Sequence, residues 1–173
     1  MELKEILNQR FSVRKFLDKK VENEKILEIL EAARTAPSAR NLQPTRVIVV
    51  QDNINKMNEL MHNTYGCNVV FIVCAEKAGL VSKTWGDVDA TIASTLMMVR
   101  AWDLGLGTVF IGIFDEEKIK KEFSLPEGYE VVMLIACGYG AADALPSGMH
   151  FDKKELKEMM FKESLDNPYT LDK

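Results

Sequence analysis

A helix that is apolar on every side needs partners on every side, and residues 87–103 read as one. Val88, Ile92, Ala93, Leu96, Met97, Met98, Val99 and Trp102 spread around its circumference. Ala90, Ala93 and Ser94 leave room for another helix to approach closely. A chain of 173 residues forms one core and has little material to wrap such a helix completely. Its second face is therefore expected to meet another subunit, in a homodimer. A central core helix inside a monomer is the weaker alternative.

The rest of the chain supplies the layers around that helix. Leu3, Ile6 and Leu7 fit a short amphipathic helix. Asn23 is placed to cap a second helix, whose apolar face is Ile26, Leu27, Ile29, Leu30 and Ala33 and which stops at Thr35-Ala36-Pro37. Residues 47–50 and 69–74 are continuous apolar runs, as in strands covered on both faces. Between them Asp52-Asn53 suggests a cap for Ile54, Met57, Leu60 and Met61 at helical spacing, and Tyr65-Gly66 breaks that pattern. Residues 108–113 read as a short strand, Asp115 as the cap of a short helix, and residues 129–137 as the longest apolar strand. Asp152 is placed to cap a last amphipathic helix carrying Leu156, Met159, Met160 and Phe161. Helices and strands mix without strict βαβ alternation, and no linker or repeat interrupts them. One α+β domain over residues 1–173 is expected.

Charge and cysteine usage exclude several functions. A formal net charge of −4 argues against a nucleic-acid binder, because a phosphate backbone demands a basic face. No apolar run is long enough to span a bilayer. The N-terminal stretch Met1-Glu2-Leu3-Lys4-Glu5-Ile6 carries acids and lacks an apolar signal core, so no export signal is expected. Cys67, Cys74 and Cys137 are odd in number and form no C-x-x-C pair, which makes a disulfide framework a poor expectation. His62 and His150 stand far apart with no metal-binding spacing, so neither a metal site nor a Cys–His nucleophile is expected. The chain reads as a reduced, cytoplasmic protein.

Two stretches carry chemistry. The first is the loop Pro37-Ser38-Ala39-Arg40-Asn41-Leu42-Gln43-Pro44, mounted between a helix and a buried strand. Ser38, Asn41, Gln43 and unladdered backbone N–H groups suit a flat, hydrogen-bonding ligand. Taken alone, the loop is better explained by Ser38 and Asn41 shaping a turn. The second is Arg10-Phe11-Ser12-Val13-Arg14-Lys15-Phe16. In an extended backbone Arg10, Ser12 and Arg14 share one side while Phe11 and Val13 face inward. Two guanidinium groups around a hydroxyl suit a phosphate, where single arginines would form a solvated strip.

The glycine pairs do not make a dinucleotide cradle. Gly105-x-Gly107 lies between a helix and a strand, the reverse of the strand-to-helix order that fingerprint needs. Gly138-x-Gly140 follows a strand, but Asp143 fills its third position and Pro146 interrupts the expected helix. Gly105 is better read as a helix C-terminal glycine. Gly112 either lets backbone approach a planar ligand or marks a bulge.

Taken in order, Arg10-x-Ser12-x-Arg14-x-Phe16, Ala32-Ala33, Ala36-Pro37-Ser38-Ala39-x-Asn41-x-Gln43-Pro44 and Leu104-Gly105-Leu106-Gly107-Thr108-Val109-Phe110-Ile111-Gly112 resemble the FMN-dependent nitroreductase family. The resemblance implies a central, mainly antiparallel sheet flanked by helices in an interlocked homodimer. It implies FMN at the dimer interface, reduced at N5 by hydride from NAD(P)H. A nitroaromatic, quinone or related small acceptor is then reduced at the same face, in ping-pong fashion. The cofactor carries that chemistry, and no catalytic acid or base of the protein is expected. Matched by position, Arg10, Ser12 and Arg14 would hold phosphate, ribityl chain and pyrimidine edge. Pro37, Ser38 and Asn41 would line ring and ribityl chain, and Ile111 and Gly112 would offer backbone N–H groups. Many members carry a Lys/Arg pair before the last helix. The nearest stretch here is 147–154, where His150 takes one such place and Lys153 and Lys154 follow. The link at 76–86, with Gly79 and Gly86 near its ends, is too short for the helical roof of larger members. It is expected to leave the flavin open, with Trp85 as a stacking surface for substrate. The alternative is a non-catalytic flavin- or nucleotide-binding sensor on the same scaffold, and a third reading is a structural dimer without cofactor.

Overall fold

The computed structural model describes residues 2–77 and 83–170. Its centre is a four-stranded sheet built from β1 (Thr45–Val50), β2 (Val69–Glu76), β3 (Gly107–Ile111) and β4 (Tyr129–Gly138), in the order β1-β2-β4-β3. Every pairing between these strands is antiparallel. β2 pairs along its length with both β1 and β4 and is buried from Val69 to Ala75, as its unbroken apolar run requires. A register shift between Val73 and Cys74 interrupts the β2–β4 ladder.

Helices α1 (Leu3–Gln9), α2 (Asn23–Arg34), α3 (Lys83–Asp103), α4 (Glu116–Glu122) and α5 (Leu156–Met159) complete the regular structure. One face of the sheet packs on a core containing Ile26 and Ile29 of α2 and Ala90, Met97 and Ala101 of α3. The other face covers Val13, Met57, Leu60, Ile72, Ile119 and Leu134. Leucine- and isoleucine-sized side chains in both layers, each buried for about 1.5–3 kcal/mol, make these two cores the main stabilising term. Among the described residues no helix is long and apolar enough to cross a membrane.

Several expected elements differ in detail. β1 is an edge strand with one neighbour, so only Val50 is fully buried and Val47, Ile48 and Val49 are half-buried. α3 begins at Lys83, four residues before the expected start, which puts Trp85 in its first turn and not in a link. Gly79 and the remainder of that link at 78–82 lie outside the described residues. α3 packs against the sheet and α2, but Val88 stays 38% exposed and Thr91 and Thr95 face out. The helix ends at Gly105, whose φ of 77° lets Gly105 and Leu106 N–H return to the carbonyls of Trp102 and Ala101, each at 2.9 Å.

The caps divide similarly. Asp115 caps α4 by accepting from Lys118 N at 3.1 Å. Asn23 lies inside α2, and the cap position falls to Glu22, which makes no side-chain cap bond. Residues Ile54–Glu59 form a 3-10 helix, not an α-helix. Asp152 caps nothing: the last helix is a single turn opened by Glu155 and Glu158, and its Leu156 and Met159 are exposed.

Candidate functional site

Residues 10–16 leave α1 in extended form and lie along β3. Ser12 pairs with Thr108 in a parallel bridge, and Val13 N donates to Thr108 O at 3.0 Å. Val13 is 2% exposed, and Phe11 packs against the same core. The alternation therefore holds: Arg10 and Ser12 are half-exposed and Arg14 is exposed. Arg14 Nη1 turns back to donate to Ser12 O at 3.4 Å. Among the described residues neither Arg10 nor Arg14 pairs with a carboxylate, whereas Arg34 and Arg100 both do. Unpaired guanidinium groups beside a hydroxyl are a ready anion site.

Phe11 gathers the surroundings of this strip. Its ring stands edge-on to Trp102 at 5.4 Å and to His150 at 6.3 Å, and His150 meets Phe151 at 5.1 Å. His150 lies beside the strip, packed as an aromatic against Phe11 and Phe151. Ile111 ends the same edge strand and Gly112 follows it; Ile111 is buried and Gly112 is exposed. Gly107 fits here because it lacks a side chain: an added Cβ would lie 2.5 Å from Val13 Cγ2. A cavity of about 350 Å³ lies between Phe11, Val13, Trp102, Leu106, Gly107 and Gly140.

The 37–44 loop is a second constellation. A 3-10 turn, Ala39–Asn41, places Arg40, Asn41 and Gln43 at φ of 52°, 56° and 49°. Such left-handed backbone is unusual for residues other than glycine and costs on the order of 1 kcal/mol each. Internal bonds hold it: Gln43 N donates to Ser38 Oγ at 3.0 Å, and Gln43 Nε2 donates to Asn41 Oδ1 at 3.0 Å. Ser38 and Asn41 do shape the turn, yet the Ser38 hydroxyl proton and Asn41 Nδ2 find no acceptor among the described residues. A cavity of about 590 Å³ opens here, lined by Pro37, Ser38, Asn41, Gln43, Arg46 and Asp89.

Asp89 escaped the sequence reading. It stands between Val88 and Ala90, two residues after Asp87, is 3% exposed, and its carboxylate accepts from Ala39 N. An acid at that place in an apolar helix is the signal that could have revealed it. Trp85, 55% exposed, stands one turn before Asp89 on the same helix face, which places it on the side of the loop.

Register sets the two constellations apart. Thr45, where the loop enters β1, pairs with Ala75; Thr108, beside the strip, pairs with Cys137, and Cys137 pairs with Val69. β1 and β3 are opposite edges, and Val69 and Ala75 lie six residues apart on β2. Three strand spacings across and six residues along put the two at opposite corners of the sheet, about 25 Å apart. That is longer than a mononucleotide. No His, Cys, Asp or Glu cluster suited to a metal occurs among the described residues.

A model of the Nitroreductase family matches residues 7–65 and 55–139. A protein of Archaeoglobus fulgidus, provisionally named an NADH dehydrogenase/NAD(P)H nitroreductase, is 32% identical over 151 residues, covering 79% of this chain and 84% of its own length. The crystal structure of a nitroreductase family protein from Clostridium difficile 630 superposes with a TM-score of 0.85 at 33% identity, over 95% of this chain and all of that one. An FMN-dependent nitroreductase from Clostridium difficile R20291 superposes at 0.75 with 27% identity, over 92% of this chain and 98% of its own.

Proposed function

The chain belongs to the nitroreductase family, and from that premise we propose that it is an FMN-dependent oxidoreductase which uses NAD(P)H to reduce small acceptors such as nitroaromatics or quinones. The observation that carries the reading is the pair of unpaired guanidinium groups, Arg10 and Arg14, pinned on the β3 edge around Ser12. The donor set fits the cofactor: cationic forks for a phosphate at the strip, and the neutral donors Ser38 and Asn41 with the Arg46 guanidinium for the polar edge of a ring at the loop. Bound FMN would supply hydride acceptance and donation at its N5.

The chain's own residues would hold and orient that group. Arg10 and Arg14 neutralise the phosphate, with His150 close by on Phe11, and Ser12 adds a hydroxyl. Gly112, just past Ile111 at the end of the β3 edge, would offer a backbone N–H group. Pro37, Ser38 and Asn41 line the ring side, and Trp85 borders the space for substrate. Strip and loop lie too far apart in one chain to serve one ligand, so the working site takes the strip from one subunit and the loop from its homodimer partner. One open cavity then serves nucleotide and acceptor in turn, the arrangement a ping-pong sequence needs.

The test is the absorption spectrum of purified protein with FMN, recorded anaerobically before and after NADH or NADPH, then with an acceptor panel. Bound flavin that bleaches with nucleotide and recovers with acceptor is the expected result. Bound flavin that neither nucleotide bleaches would favour the sensor, and protein that takes up no flavin would overturn the reading.

A further inference from the structure

We propose that Asp89 is the positioning residue of the 37–44 loop: its buried carboxylate holds the loop in the conformation that receives the flavin. The assignment rests on the flavin reading above. Both Asp89 oxygens accept from Ala39 N–H, at 3.0 and 3.2 Å, across fifty residues of sequence. A carboxylate buried away from any cation is costly, and strong bonds to backbone N–H groups are what offset that cost. Among the described residues Asp89 forms no ion pair, and the α3 positions one turn further on, Ile92 and Ala93, are apolar.

The loop needs such an anchor. Ala39 immediately precedes the left-handed residues Arg40 and Asn41, and the Ser38 Oγ bond to Gln43 N closes the far side of the same turn. Strained backbone of this kind persists only where its surroundings over-determine it. Asp89 grips the turn at its start and draws the Ala39 amide toward α3. The flanking Ser38 and Arg40 amides find no acceptor among the described residues and stay available to a ligand. Asp89 also lines the cavity onto which Pro37, Ser38 and Asn41 open. The carboxylate thus fixes which loop donors face the ligand and which face the scaffold.

The experiment compares the full chain with Asp89→Asn, which keeps an acceptor oxygen, and Asp89→Ala, which removes it. FMN affinity is read by flavin fluorescence quenching, at a temperature where circular dichroism shows each protein folded. Loop order is read as the rate of tryptic cleavage after Arg40, which is exposed. Asp89→Asn is expected to weaken FMN binding several-fold and Asp89→Ala about tenfold or more, as for loss of a charged hydrogen bond. Cleavage after Arg40 should quicken in the same order, and FMN should slow it in the parent. If Asp89→Ala does not fold, Asp89→Asn carries the comparison. Parental affinity in the variants overturns the assignment, and so does either change without the other. A parent that binds no FMN overturns the flavin reading and this assignment with it, whereas a parent that binds beside variants that bind equally overturns this assignment alone.

Discussion

Arg10 and Arg14 are the residues whose removal separates a phosphate site from a solvated basic strip. A charged hydrogen bond contributes roughly 1.5–3 kcal/mol, so Arg10→Ala and Arg14→Ala should each weaken FMN binding about tenfold to a hundredfold. Flavin fluorescence quenching reads this directly, and parental affinity in both variants would place the phosphate elsewhere. The cysteines are a contrasting case. Burial pushes the Cys67 and Cys74 thiols up to about 11 and Cys137 to about 12. The folded chain therefore holds these protons more tightly than the unfolded chain, whose thiols titrate near ~8.5. Their contribution to stability is complete below about pH 8.5 and is lost as pH rises through the folded values. The urea midpoint should fall between pH 9 and 11, and less steeply in Cys137→Ala; identical slopes would assign the alkaline sensitivity to other groups. At this scale the sequence was informative where a residue type has one dominant use. Alternating Arg10, Ser12 and Arg14 were legible, and so was Asp115 as a cap. Asp89 was not, because its partner is an amide fifty positions away, and no local pattern encodes a contact of that range.

The strip and β3 act as one element, and Gly107 is where they touch. An added Cβ there would meet Val13 Cβ at 2.7 Å and Cγ2 at 2.5 Å, and Val13 has little freedom to retreat because its N–H is bonded to Thr108. Overpacking of this kind costs about 1–3 kcal/mol. Gly107→Ala should lower the melting temperature and push residues 12–14 off the edge strand, weakening FMN binding without altering any proposed contact residue. Stability and affinity both at parental values would show that the strip is not seated against β3 as described. Elements whose signal is an apolar run, β2 and β4 above all, were legible because burial on both faces writes itself into every position. β1 was over-read, since a strand's place at a sheet edge depends on the order of pairing and leaves its own apolar run unchanged. The start of α3 was missed for a related reason: Lys83-Thr84-Trp85-Gly86 carries no apolar period, and a helix can begin before its buried face does. The glycine pair at 105 and 107 lies between α3 and β3, in the helix-to-strand order read from the sequence. Its real use is split, with Gly105 ending α3 at positive φ and Gly107 making room for Val13.

For the whole molecule the question is what would complete the proposed site, whose halves sit at opposite corners of one sheet. Leu145, Met149, Phe151, Leu156 and Met159 are each more than half exposed, and Val88 of α3 and Leu3 and Leu7 of α1 are also open. These large apolar side chains left to water in one chain are the surface that the proposed homodimer would cover. A two-fold dimer would bring the strip of one chain to the loop of the other twice over, since such an interface is self-complementary. Sedimentation at low micromolar concentration should give twice the chain mass, and a folded, flavin-binding monomer would end the proposal. Complementation tests the geometry itself. Arg14→Ala homodimers lack a competent strip and Asn41→Ala homodimers lack a competent loop, so each alone should bind FMN weakly. When equal amounts are unfolded together and refolded, about half the dimers are mixed. Each mixed dimer has one site built from two intact halves and one built from two defective halves. About a quarter of all sites should then regain parental affinity, visible as a tight phase in the FMN titration. If strip and loop of the same chain served the same site, every site in every mixed dimer would carry one defect and no tight phase would appear. That result would overturn the two-chain site and, because the register of β1, β2, β4 and β3 holds the two corners of one chain apart, would leave strip and loop serving different ligands.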